Sequence, residues 1–119
     1  MKILLVDDDE FVRALITEQL KNEDFVITQE SNVDNAITLL DSQSFDLLIT
    51  DIIMPNKDGG DLMRYVKQQG LSMPILAITG GIENAQEDYQ HYADMFADKT
   101  LVKPVSQEDL LSAIKELCS

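Results

Sequence analysis

The sequence predicts an α/β protein: one domain of 119 residues in which five strands, each followed by a helix, build a doubly wound parallel sheet. Three observations lead there. Short apolar runs alternate along the chain with longer segments whose apolar residues recur at helical spacing, the pattern of successive βα units. Most of the runs are continuously apolar, as strands covered on both faces must be. No linker-like shift in composition and no internal repeat divides the chain, so the five units belong to a single sheet, residues 1–119, with right-handed crossovers.

The first run is residues 3–6, Ile-Leu-Leu-Val, and the helix after it carries an apolar stripe of Phe11, Leu15, Ile16 and Leu20. The second run, 25–28, is not a continuous block. It is followed by Val33, Ala36, Ile37 and Leu40 at i, i+3, i+4 and i+7, the spacing of one helix face. The third run, 47–50, precedes a helix marked by Leu62, Tyr65 and Val66. The fourth run is 75–78. The helix expected after it, around 84–95, has a thin apolar face and many polar residues, among them Gln86, Glu87, Asp88, Gln90 and His91. The last run, Leu101-Val102, is the weakest. The final helix carries Leu110, Leu111, Ile114 and Leu117, and Ser106 with Asp109 three residues on, just past Pro104, reads as a capping box at its start.

Charge bounds the partners. Asp and Glu number 22 and Lys and Arg 9, for a net charge of −13. A chain this acidic repels nucleic-acid phosphates, whose binding needs clustered cations, and anionic membrane surfaces alike. The single cysteine, Cys118, allows no internal disulfide and no thiolate zinc cluster. One histidine, His91, removes multi-histidine metal sites. No run approaches a membrane span, and the apolar stretch at the start is too short for a secretion signal. The expectation is a soluble, cytoplasmic protein.

In open parallel sheets, ligands bind at the carboxyl ends of the strands. Asp7, Asp8 and Asp9 follow the first strand, Asp51 the third, Thr79 the fourth and Lys103-Pro104 the fifth. The second ends in Gln29-Glu30, outside this group. Crowded carboxylates repel one another unless a cation joins them. Oxygen ligands without Cys or His select a hard cation, Mg²⁺ or Mn²⁺, which takes one or two carboxylates and completes its shell with water and phosphate oxygens. A lysine across the cleft adds positive charge for a phosphoryl group, and a threonine adds a hydroxyl donor. The set suits phosphoryl transfer to a carboxylate. Singly, each residue has an ordinary explanation: Asp9 as the cap of the first helix, Asp58-Gly59 and Thr79 as turn residues, Lys103 as a surface lysine. Their coincidence at four strand ends is the argument.

These residues, with 45–59 (Phe-Asp-Leu-Leu-Ile-Thr-Asp-Ile-Ile-Met-Pro-Asn-Lys-Asp-Gly), Ile78-Thr79 and 101–104 (Leu-Val-Lys-Pro), resemble the receiver domain of bacterial two-component response regulators over the whole chain, the single-domain chemotaxis-regulator type in particular. The resemblance implies a flavodoxin-like (βα)₅ fold with strand order 2-1-3-4-5. It implies that Asp51 is the phosphoacceptor, that Asp8 binds Mg²⁺ directly and Asp7 through water, and that the Ile53 carbonyl completes the protein's ligands beside Asp51. Thr79 then matches the switch hydroxyl and Lys103 the lysine that pairs with the phosphoryl group. The implied partners are a sensor histidine kinase or histidine phosphotransferase, and a downstream protein met through the fourth helix, fifth strand and fifth helix. Such a domain is a stoichiometric phosphoacceptor that assists its own phosphorylation and dephosphorylation. With no output domain after Ser119, it is expected to signal through protein contacts or onward phosphotransfer.

The departures cluster in the signalling region. Thr100 stands where the family commonly has an aromatic, Phe96 where glycine is frequent and Val105 where Phe is usual, and Thr79 to Lys103 is about two residues longer than typical. Three rivals share parts of the pattern. A haloacid-dehalogenase-type phosphatase also begins with Asp-x-Asp after a strand, but needs a longer chain. A flavodoxin-like cofactor binder needs a Gly- and Ser-rich loop where three aspartates stand. A receiver-like module acting without phosphorylation is suggested only by Thr100 and Phe96.

Overall fold

The computed structural model describes residues 1–21, 23–80 and 96–118. The strands are β1 (Lys2–Val6), β2 (Val26–Glu30), β3 (Leu47–Asp51), β4 (Ile75–Thr79) and β5 (Lys99–Val102). The helices are α1 (Glu10–Leu20), α2 (Val33–Ser42), α3 (Gly59–Gln68) and α4 (Gln107–Cys118), the last being the fifth helix of the sequence expectation. The expected helix around 84–95 lies outside the described residues, as does His91. All four strand pairings are parallel, in the order β2-β1-β3-β4-β5.

The pattern of the runs follows from this order. β3 and β4 are buried throughout and β1 nearly so, whereas the edge strands β2 and β5 are half-exposed along most of their length. Inner strands need apolar side chains on both faces and edge strands do not. Alternate residues then feed two cores. Leu4, Val6, Leu48, Ile75 and Ala77 pack with residues of α2 and α3. Ile3, Leu5, Leu47, Ile49, Leu76 and Ile78 pack with residues of α1 and α4.

The expected stripe of α1 needs correction. Ile16 and Leu20 are buried, but Phe11 is 87% and Leu15 49% exposed. Val12 packs on the core in their place. The core-facing line is the partly buried Val12 with the buried Ile16 and Leu20, one helical position round from Phe11 and Leu15. Of those two exposed residues, Leu15 borders an apolar groove of about 250 Å³ lined also by Val12, Ile16, Lys103, Pro104 and Val105. The second strand also sits one to two residues later than expected, so Gln29 and Glu30 fall inside it rather than after it.

Helix ends are set by local chemistry. Asp9 caps α1, accepting from the Phe11 and Val12 amides at 2.9 and 3.4 Å. Ser106 Oγ accepts from the Asp109 amide at 3.1 Å at the start of α4. A full capping box opens α3, where Asp58 and Asp61 each accept the other's amide at 3.0 Å. At the other end of α3, Gly70 has φ +70°. Its amide donates to Lys67 O and the Leu71 amide to Val66 O, a Schellman ending that favours a residue without Cβ.

Gly59, the first residue of α3, meets a different demand. Its amide donates to the Ile52 carbonyl at 2.8 Å, and a Cβ built on it lies 2.0 Å from the Asp51 carbonyl oxygen and 2.8 Å from Ile52 Cα. Both neighbours are backbone, so neither can rotate away. Gly59→Ala is therefore expected to destabilise the fold by about 1–3 kcal/mol, the range for overpacking, and to push Asp51 out of register. Urea unfolding together with the Asp51 amide shift in NMR checks this; an unmoved Asp51 resonance would show that α3 yields instead.

Candidate functional site

The loops after β1, β3 and β5 meet at the carboxyl edge of the sheet because β1, β3 and β4 are its three inner strands, with β5 beside β4. Carboxylate oxygens of Asp7, Asp8 and Asp51 there lie within 4.8 Å of one another. Asp7 and Asp51 are buried and Asp8 is exposed. Lys103 Nζ lies 3.0 Å from Asp7 Oδ2 and 3.2 Å from Asp51 Oδ2, bridging the two buried carboxylates. Four of the residues singled out from strand ends thus share one site.

Each is held by its own element. The Asp7 amide donates to Glu30 O at 3.1 Å, and Asp7 Oδ1 accepts from the Asp9 amide at 2.8 Å. The Lys103 amide donates to Thr79 O at 2.7 Å, so the β5 exit is tied to the end of β4. The Lys103–Pro104 bond is cis. Thr79 is buried at the end of β4, one residue past Ile78, which pairs with Asp51 in the sheet. Ile53, with its side chain exposed, follows Ile52, which donates to Ile78 O and accepts from Gly59. Asn56, further along this loop, has φ 67°, a conformation asparagine tolerates better than most residues.

Burial, and then repulsion from Asp7, push the Asp51 carboxyl up to about 6 against the opposing pull of Lys103. Burial disfavours the Lys103 ammonium, yet Asp51 and Asp7 outweigh it and hold its pKa above the ordinary lysine value. Three carboxylates facing one ammonium leave two negative charges uncompensated. An all-oxygen donor set with that surplus fits a hard divalent cation such as Mg²⁺.

Asp9, given no role by the family resemblance, is a helix cap and spends its side chain there. Thr100 is half-buried opposite Ala77 in the sheet. The Phe96 ring packs against the α2–α3 core and Val105 is buried in the α1–α4 core, so both departures serve as packing residues. Sequence reading missed Gly59, whose place beside Asp58 was legible but whose contact with Asp51 was not. It also missed Arg13, whose Nη1 donates to the Asp7 carbonyl at 2.6 Å. No spacing signals a bond from a side chain to a loop carbonyl.

The response regulator receiver domain family model matches residues 3–115. An uncharacterised 14.6 kDa protein of Leptolyngbya boryana, encoded in the sodA1 3′ region, is 32% identical over 120 residues, which cover 99% of this chain and 90% of that protein. The transcriptional regulatory protein CusR of Escherichia coli K12 is 32% identical over 119 residues, 98% of this chain but 51% of CusR. The chain thus spans most of one of these relatives and about half of the other. Among solved structures, response regulator TrrA of Thermotoga maritima, determined in complex with Mg²⁺-BeF, superposes with a TM-score of 0.85 at 27% identity, covering 98% of this chain and 97% of TrrA. The receiver domain of an HD domain-containing protein from Pseudomonas fluorescens Pf-5 gives 0.88 at 25% identity, over 98% and 92%.

Proposed function

The chain belongs to the response regulator receiver domain family, and from that premise we propose that it is a phosphorylation-controlled switch whose phosphoacceptor is Asp51. Receiver domains take phosphoryl groups from histidine kinases and act on downstream proteins. The observation that carries the assignment to Asp51 is its place between a fixed countercharge, Lys103 at 3.2 Å, and the carboxylates of Asp7 and Asp8, with which it could share a cation.

Asp51 is the nucleophile. One carboxylate oxygen bonds to phosphorus as the bond to the donor's imidazole nitrogen breaks, and the imidazole keeps the electron pair. Lys103 trades its contact with Asp51 for one with the incoming phosphoryl oxygens and remains anchored by Asp7. Asp8 and Asp51 would hold Mg²⁺ directly, Asp7 through water, and the Ile53 carbonyl would join them; when bound, the ion neutralises phosphoryl charge. Thr79 donates its hydroxyl to the product, and that contact biases the β4–β5 edge between two packings. Asp51 accepts one phosphoryl group per protein, as a stoichiometric acceptor, and attack by water at phosphorus returns the carboxylate and inorganic phosphate. The exposed Phe11 and Leu15, and the groove reaching Lys103, offer an apolar landing for the donor on the α1 side. Output runs through the β5 and α4 side and the segment between β4 and β5. One receiver domain over 1–119, working in the cytoplasm, completes the reading; no helix among the described residues is long and apolar enough to cross a membrane.

A module signalling without phosphorylation is the second reading, and the intact carboxylate–lysine set disfavours it. Incubation with acetyl phosphate and Mg²⁺ is expected to add one phosphoryl group by intact mass, mapping to Asp51 and absent with EDTA. A label on another residue, or none, overturns the assignment.

A further inference from the structure

Building on that reading of the site, we infer that Arg13 is a positioning residue that sets the affinity of the acidic loop for Mg²⁺. Arg13 is half-buried on α1. Its Nη1 donates to the Asp7 carbonyl at 2.6 Å, and its Nε donates to Gln29 Oε1 on β2 at 3.3 Å. The guanidinium therefore ties three elements together at the peptide that leads from Asp7 into Asp8. Asp7 is fixed at its other polar atoms as well, by Glu30, Asp9 and Lys103. Asp8 is exposed, and its approach to the cluster depends on how the preceding peptide is oriented. Arg13 touches that peptide and no carboxylate of the site.

Charge and positioning make opposite demands, which gives the test its sign. A cation beside a cation site repels the incoming ion, so by Coulomb's law alone a neutral residue at position 13 tightens Mg²⁺ binding. Loss of a bond that orients a ligand loop weakens it, typically by 10–100-fold for groups behind the ligands. Arg13→Met keeps the aliphatic packing and removes both bonds.

Isothermal calorimetry is expected to show Mg²⁺ bound about tenfold more weakly by Arg13→Met, with Arg13→Lys, which keeps the charge and one donor, returning to within about threefold of wild type. In the metal-free protein, the Asp9 amide, which donates to Asp7 Oδ1, is expected to exchange faster with solvent in Arg13→Met than in wild type. Unchanged or tighter Mg²⁺ binding by Arg13→Met, or no recovery in Arg13→Lys, overturns the inference while leaving the site intact. Failure of the wild-type protein to bind Mg²⁺ overturns the site itself, and the inference with it.

Discussion

Asp51→Asn is expected to abolish phosphoryl incorporation and, in the absence of Mg²⁺, to make the protein more stable at neutral pH. The first effect follows from removing the proposed nucleophile. The second follows from linkage. With a folded-state value of about 6 against an ordinary 3.8, the folded protein holds the Asp51 proton more tightly than the unfolded chain does. The stability this contributes is fully present below about 3.8 and is lost as pH rises through about 6. Asparagine imitates the protonated carboxyl at every pH. Wild type and variant should therefore match near pH 3.5, and the variant should gain about 2 kcal/mol by pH 7.5. Each tenfold difference in proton affinity is worth about 1.4 kcal/mol, and solvent screening removes part of the total. Urea unfolding in EDTA at several pH values measures the difference, from which titrations common to both proteins cancel. A variant less stable than wild type at pH 7.5 would mean that the Lys103 contact outweighs burial and Asp7. Adding Mg²⁺ should narrow the gap, because the ion favours the ionised carboxylate.

Lys103→Met should have the opposite sign and a comparable size. Lys103 is the only cation that bridges Asp7 and Asp51 among the described residues, and both carboxylates are buried. Removing one partner of a buried pair leaves the other charge uncompensated, at a cost of about 3 kcal/mol. Because the loss comes from ionised carboxylates, it should be largest near pH 8 and shrink towards pH 4. Saturating Mg²⁺ should recover much of it by binding the folded state alone. Phosphorylation by acetyl phosphate should still slow by about 10²–10³-fold, the scale for losing one donor to a charged transition state. A stability loss independent of both pH and Mg²⁺ would assign Lys103 a packing role.

Asparagine and methionine at these two positions separate what the site costs the fold from what holds it together. The carboxylates are retained against their own repulsion and burial. The lysine offsets part of that cost, and the surplus negative charge leaves room for a divalent ion. An acidic total of −13 says nothing of this, since removing the three clustered aspartates would leave the chain strongly acidic.

The architecture was legible because apolar patterning reports burial. Inner strands need apolar side chains on both faces, so residues 3–6, 47–50 and 75–78 stand out as continuous blocks. The cluster was legible for a related reason: parallel topology brings strand ends to one edge, so Asp7, Asp8, Asp51 and Lys103 could be singled out by position alone. The α1 stripe was misjudged because Phe11 and Val12 are adjacent and both apolar. Periodicity cannot choose between faces rotated by one residue when Ile16 and Leu20 fit either. Only docking against the sheet turned Val12 inward and left Phe11 in solvent.

By itself, then, the sequence determined the order of elements, the edge of the sheet to examine and the residue types gathered there, because these depend on the hydrophobic pattern and on chain connectivity. Tertiary structure alone decided that Lys103 bridges Asp7 and Asp51, that Gly59 lies against the Asp51 carbonyl, and that Arg13 grips the peptide before Asp8. Those contacts join residues brought together by packing, and their directions depend on backbone placement to within a fraction of an ångström, which no one-dimensional pattern records.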